Sequence, residues 1–170
     1  MPALDVAQDQ ALCLHDLMHD YFLGHRRYPV VDFVDIQSAY DTVDRRVIWD
    51  ALSNLSLPRA VLGLLINMFD NVSVFDLIAN HASAAFSPTT GVLQGSVLSP
   101  HVYSLYINLL PNLLRFAATG ATMISLPGET NRIAINSLLF ADDIATFGTK
   151  SDVQGMLNLA ADHSVSLGYR

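Results

Sequence analysis

Apolar residues Leu14, Leu17, Met18 and Tyr21 recur at i, i+3, i+4 and i+7, which predicts an amphipathic helix over residues 7–24. The pattern then changes. From Tyr28 and Pro29 through Val30-Val31-Asp32-Phe33-Val34-Asp35-Ile36 the chain is β-branched and aromatic after a proline able to start it, and reads as a strand. Helical spacing returns over Val43–Leu55, with Val47, Ala51, Leu52 and Leu55 facing inward, and over Pro58–Phe69, with Leu62, Leu65, Ile66 and Phe69 inward. Residues 72–79 and 82–86 read as a hairpin turning at Asn80-His81. Ser99-Pro100 opens a further helix, hydroxyl cap first and proline in the first turn; it is apolar nearly all round, so a buried one, and Pro111 ends or kinks it. Thr119–Asn131 reads as a loop carrying the only glutamate, Glu129. Two short apolar runs, Ile133–Phe140 and Ile144–Phe147, then predict a second hairpin. Val153, Met156, Leu157 and Ala160 stripe a final helix that starts near Lys150 and ends near Gly168.

Candidate chemistry clusters at the ends of these elements. Ala141-Asp142-Asp143 sits at the tip of the second hairpin, so two carboxylates are held at the lip of a buried sheet. Like charges that close repel and raise each other's pKa unless a cation offsets them. Asp32 and Asp35, three apart, point to opposite faces of a regular strand, and Asp35 falls at its end, where open sheets present ligands; the plainer reading is that Asp35 caps the next turn. Gly91 and Gly95 flank Gln94, allowing close approach of backbone to a ligand or an unusual φ. His15 and His19 lie one helical turn apart like zinc-protease ligands. Asp16 stands beside them where a glutamate base would be needed and no third ligand follows, so a solvated helix face is the better reading.

At 170 residues, 51% hydrophobic and 15% charged, the chain is expected to be one packed domain, not a disordered one. The stretch Leu77–Leu114 is free of Asp, Glu, Lys and Arg but is broken by prolines and glycines, so it is not a membrane span, and residues 1–30 lack the core of a secretory signal. Cys13 is the only cysteine, which excludes an intrachain disulfide and points to a reducing, intracellular setting. The net charge of −7 sits poorly with a nucleic-acid binder, because phosphate contacts draw on Lys and Arg. Lys150 is the only lysine; four of eight arginines form the pairs Arg26-Arg27 and Arg45-Arg46, read first as solvated helix ends.

Three boxes nevertheless stand in order: Phe33-Val34-Asp35-Ile36-Gln37-Ser38-Ala39-Tyr40-Asp41, Gly91-Val92-Leu93-Gln94-Gly95-Ser96-Val97-Leu98-Ser99-Pro100, and Phe140-Ala141-Asp142-Asp143. Together they resemble the palm of reverse transcriptases, most closely those of non-LTR (LINE-like) retrotransposons, from about residue 10 to the C-terminus. The resemblance implies an α+β palm whose small antiparallel sheet carries the acids and is backed by helices, with a remnant of fingers over residues 1–28 and palm core over 29–170. It implies RNA-directed DNA polymerisation: two Mg²⁺ ions (Mn²⁺ as a substitute) held by Asp35 and Asp142 as bridging ligands, Asp143 as a third carboxylate and the Ile36 carbonyl. Gln94 and Gly95 would lie near the incoming nucleotide and template base. Tyr40 would sit under the sugar and exclude a ribose 2′-hydroxyl, favouring dNTP; Asp41 comes one position too late to accept from that hydroxyl. The implied partners are an RNA template, a DNA primer, dNTP and the remaining parts of a retroelement polyprotein, with no membrane; the element type makes the nucleus one location. Most of the fingers, the lysine-containing segment, the primer grip, the thumb and an endonuclease are expected outside these residues, so the chain alone is expected to be inactive. The alternatives are a catalytically silent palm-like remnant or interaction module and, a distant third, a metal hydrolase built on His15 and His19.

Overall fold

In a computed structural model, which describes residues 6–117, 121–125 and 132–169, the elements run α1 (Val6–His25), β1 (Val30–Asp35), α2 (Arg45–Asn54), α3 (Arg59–Asp70), β2 (Leu77–Ile78), β3 (His81–Ala82), α4 (Ser99–Ile107), α5 (Leu109–Ala117), β4 (Thr122–Ser125), β5 (Arg132–Ile135), β6 (Ser137–Phe140), β7 (Asp143–Gly148) and α6 (Lys150–Leu167). They cluster into two compact units. The first takes the chain up to Gln37 and from Asn108 to Ser166; the second takes Ser38–Ile107 with Leu167–Tyr169.

The first unit is built on a three-stranded antiparallel sheet, order β1-β7-β6, with a separate β4-β5 pair. Leu17 and Tyr21 of α1, Leu110 and Leu114 of α5, Ile144 and Phe147 of β7, and Val153 and Met156 of α6 form its buried core. The acidic hairpin forms as the two apolar runs predict, with Phe140 paired to Asp143 and a two-residue turn of Ala141 and Asp142. Ala141 takes φ +54° there, the left-handed sense that matches strand twist in tight hairpins. Two expectations for this region need correction. The run Ile133–Phe140 is not one strand: it divides at Asn136, with β5 pairing to β4 and β6 to β7. Asn136 is 2% exposed, yet it is partnered, its side-chain Nδ2 donating to the Leu114 carbonyl (2.6 Å) and its backbone carbonyl accepting from the Phe147 N–H (2.9 Å). Part of the predicted loop Thr119–Asn131 is the strand β4, while Pro127, Gly128 and Glu129 lie outside the described residues. At the start of α6, Thr149 Oγ1 accepts from the Asp152 N–H while Asp152 Oδ2 accepts from the Thr149 N–H, each at 3.2 Å, a reciprocal cap.

The second unit is helical, with the short β2-β3 hairpin. Asp44 caps α2 through the Arg46 N–H (3.0 Å). The buried stripe of α2 is Arg45, Ile48, Trp49 and Leu52, one residue round from the expected face, and Leu55 falls at the C-cap, exposed. On α3 only Phe69 is buried; Leu62, Leu65 and Ile66 are half-buried. The hairpin turns at Ala79-Asn80, one residue before the predicted turn, with φ +47° and +65°. Ser99 starts α4 as predicted, but its hydroxyl donates to the Leu93 carbonyl (2.5 Å), so it ties the preceding loop to the helix. Pro111 does interrupt that helix, but not at its own position. The break falls earlier, at Asn108, and Pro111 sits in the first turn of α5. A continuous helix would drive the proline ring into the Ile107 carbonyl four residues back, so the chain breaks there and restarts where a missing N–H costs nothing.

Candidate functional site

The three acidic positions are set by strand register in the first unit. Asp35, the last residue of β1, stands directly opposite Asp143, the first residue of the central strand β7. Directly opposed residues share a sheet face with their Cβ atoms about 4.5–5.5 Å apart. Beyond this rung the Ile36 N–H donates to the Asp142 carbonyl (3.1 Å), so β1 is stitched to the turn itself. Asp35 and Asp143 are exposed and Asp142 is half-buried. None of the three has a cationic partner among the described residues. The structure therefore brings Asp35 and Asp143 together, with Asp142 on the adjoining turn. Among the described residues, no three His, Cys, Asp or Glu side chains gather closely enough to hold a metal ion. Ile36 is buried at the exit of β1. Beside the rung, a groove of about 440 Å³ is lined by Leu14, Phe33, Leu138 and Phe140 as well as the two acids.

Tyr40, Gln94 and Gly95 belong to the second unit. There Tyr40–Val43 and Gly91–Val92 are joined by two backbone hydrogen bonds, Gly91 N–H to the Val43 carbonyl (2.9 Å) and Val92 N–H to the Tyr40 carbonyl (2.7 Å). Gly91 has φ +82°, and a Cβ there would lie 2.9 Å from the carbonyl oxygens of Tyr40 and Asp41. The glycine is needed for this approach of backbone to backbone; Gly95, φ +83°, has open space where a Cβ would be. Tyr40 stacks on the buried Tyr103 of α4, ring centroids 5.0 Å apart and planes at 18°. Gln94 Nε2 donates to Asp41 Oδ1 at 3.0 Å.

The remaining candidates fall out differently. His15 and His19 are exposed on α1, and His15 Nδ1 lies 3.3 Å from Asp16 Oδ1, its sequence neighbour. The Arg45-Arg46 pair is not a solvated end. Arg46 is exposed and, bonded to Asp44, holds that carboxyl below its usual range; Arg45 is buried and donates to the carbonyls of Phe69 and Pro88, with Asp70 at 3.1 Å. Sequence reasoning missed Asp41 and Tyr103 as partners of Gln94 and Tyr40. Gly91 was the available signal, because a glycine that lets backbone come close also says that something does.

The sequence matches the reverse transcriptase (RNA-dependent DNA polymerase) family over residues 6–169, nearly its whole length, and the chain belongs to that family. It is similar, at 25% identity over 160 residues, to the Retrovirus-related Pol polyprotein from type-2 retrotransposable element R2DM of Drosophila melanogaster, a non-LTR element; the match covers 91% of this chain and 14% of that protein. The fold is similar to that of part of the telomerase of Candida tropicalis. The apo structure superposes with a TM-score of 0.63 at 11% identity, covering 95% of this chain and 30% of that one. The complex with the TWJ fragment of telomeric RNA gives 0.57 at 13%, covering 93% and 26%.

Proposed function

We propose that the chain is the palm part of a retroelement RNA-directed DNA polymerase, adding dNMP units to a primer 3′-hydroxyl opposite an RNA template. The observation that carries this reading is the Asp35–Asp143 rung with Asp142 on the adjoining turn. The donor set suits a hard divalent cation: Mg²⁺ is commonly held by one or two carboxylates plus substrate phosphates, not by a closed protein cage. An open pair of exposed carboxylates without a cationic partner among the described residues meets that requirement. Asp35 and Asp143 would hold Mg²⁺ ions, with Mn²⁺ as a substitute; Asp142 and the Ile36 carbonyl stand beside them and would complete the set only together with substrate phosphates. Such ions, when bound, make the primer hydroxyl nucleophilic and offset the charge on the leaving pyrophosphate.

The chain's own residues orient the reactants. Stitching of the turn to β1 fixes the acids on sheet backbone instead of a free loop, the rigidity a positioned site needs. Tyr40, braced by Tyr103, offers a fixed aromatic surface to the sugar and disfavours a 2′-hydroxyl, so dNTP is selected; Gln94 and Gly95 contact the nucleotide. An RNA partner is supported by the related telomerase fold solved with RNA. The net charge of −7 leaves little cationic surface for template and primer, and the chain spans 14% of the R2 protein it matches.

The test pairs catalysis with metal binding. Primer extension on an RNA template with dNTPs and Mg²⁺ is measured for the chain, alone and within a longer polypeptide carrying flanking sequence, beside Asp35→Asn and Asp143→Asn. Mn²⁺ binding is followed by electron paramagnetic resonance on the same proteins. The expected result is Mn²⁺ binding that both substitutions weaken, and extension that both abolish. Undiminished extension in either variant, or Mn²⁺ affinity unchanged by both, refutes the assignment.

A further inference from the structure

One contact in the second unit bears on how the nucleotide is read. The paired backbones of Tyr40–Val43 and Gly91–Val92 bring Asp41 and Gln94 together, and Gln94 Nε2 donates to Asp41 Oδ1 at 3.0 Å. A carboxylate has acceptors only, whereas a primary amide has a donor end and an acceptor end. Asp41 therefore fixes the sense of the Gln94 amide. One N–H turns to the carboxylate, while Oε1 and the second N–H are left for other partners. The two side chains also share the wall of a cavity of about 430 Å³ with Thr90 and Leu93, so there is room beside them.

We infer that Asp41 is a positioning residue that orients Gln94 by holding one amide N–H, so that the Gln94 carbonyl oxygen is offered to hydrogen-bond donors of the incoming nucleotide. This rests on the reading of Gln94 as a nucleotide-contacting residue. Asp41 touches no reacting atom in this account and acts only through its neighbour. Its backbone is held by the loop that Gly91 permits, so the pairing of the two boxes sets the amide's direction before a nucleotide arrives.

The test reads the contact and its consequence separately. In ¹⁵N-labelled protein, the Gln94 side-chain NH₂ signals, assigned by their loss in Gln94→Ala, should shift in Asp41→Ala. In primer extension on an RNA template, Asp41→Ala and Gln94→Ala should each raise KM for dATP by about two- to tenfold, the range of one net hydrogen bond, with kcat changing less. The double variant should be no worse than Gln94→Ala, and Asp41→Asn, which keeps an acceptor oxygen, should recover most of the loss. Additive effects in the double variant would mean that Asp41 merely supports the fold, and would overturn the inference, as would Gln94 signals unmoved by Asp41→Ala. Shifted signals in a longer polypeptide, carrying flanking sequence, that neither extends a primer nor binds dATP would sink the polymerase reading, and the positioning role with it.

Discussion

Replacing Arg45 by methionine tests how the second unit is held together. The guanidinium is 5% exposed and donates to the carbonyls of Phe69, at the end of α3, and of Pro88, just before the Gly91 loop. Methionine fills comparable volume but leaves both acceptors without their donor, at about 1–3 kcal/mol each. The Asp70 contact adds little, because that side chain is 42% exposed and solvent screens the pair. The expected loss is about 2–5 kcal/mol, a large part of the roughly 5–15 kcal/mol that a domain has. Arg45→Lys keeps the charge but brings one compact ammonium where the fork spanned two carbonyls, so it should lose about half as much. Urea unfolding followed by Trp49 fluorescence is the assay. Trp49 is the only tryptophan, lies on α2 and meets Phe69 at 5.9 Å between ring centroids. Arg46→Met serves as the control and should leave the unfolding midpoint close to the parent's, since Arg46 is exposed. If Arg45→Met came within about 1 kcal/mol of the parent, the carbonyl-anchoring argument would be wrong.

Three further outcomes follow from the same reasoning. Asp143→Asn removes the like charge opposite Asp35, so in chelator it should stabilise the chain by about 0.2–1 kcal/mol, while Mn²⁺ should raise the melting temperature of the parent and not of the variant; a destabilised variant would show that the rung is not repulsive. Asn136→Leu leaves the Leu114 carbonyl without its donor and should cost about 1–3 kcal/mol in chemical denaturation, an outcome that a neutral or stabilising value would contradict. Burial lowers the pKa of His163 below the usual 6.5. The unfolded chain therefore takes up its proton first as pH falls. This contribution is intact above pH 6.5 and is lost from there down to the lowered folded value. Thermal melts across that window should show a decline that is shallower in His163→Gln, and identical slopes would remove His163 from the account.

Much of this molecule could be read from local pattern. The helices α1, α2, α3 and α6, the strand ending at Asp35 and the hairpin at Asp142-Asp143 all follow from spacing, because an amphipathic period and a pair of short apolar runs leave few other ways to bury the same side chains. The order of the three boxes was enough to place the chain in its family. Local pattern failed where a distant partner decided the outcome. Asn136 falls inside the run Ile133–Phe140 that pattern reads as one strand; the Leu114 carbonyl and the Phe147 N–H make it a satisfied pivot between two sheets. Arg45 looked solvated beside Arg46, and only the carbonyls of Phe69 and Pro88, 24 and 43 residues away, draw it inside. Register likewise belongs to the tertiary structure. Adjacent aspartates announce a pair of charges, but it is the pairing of β1 with β7 that sets Asp143 opposite Asp35 and leaves Asp142 on the turn. Strand register is a relation between segments over 100 residues apart, and no local spacing contains it.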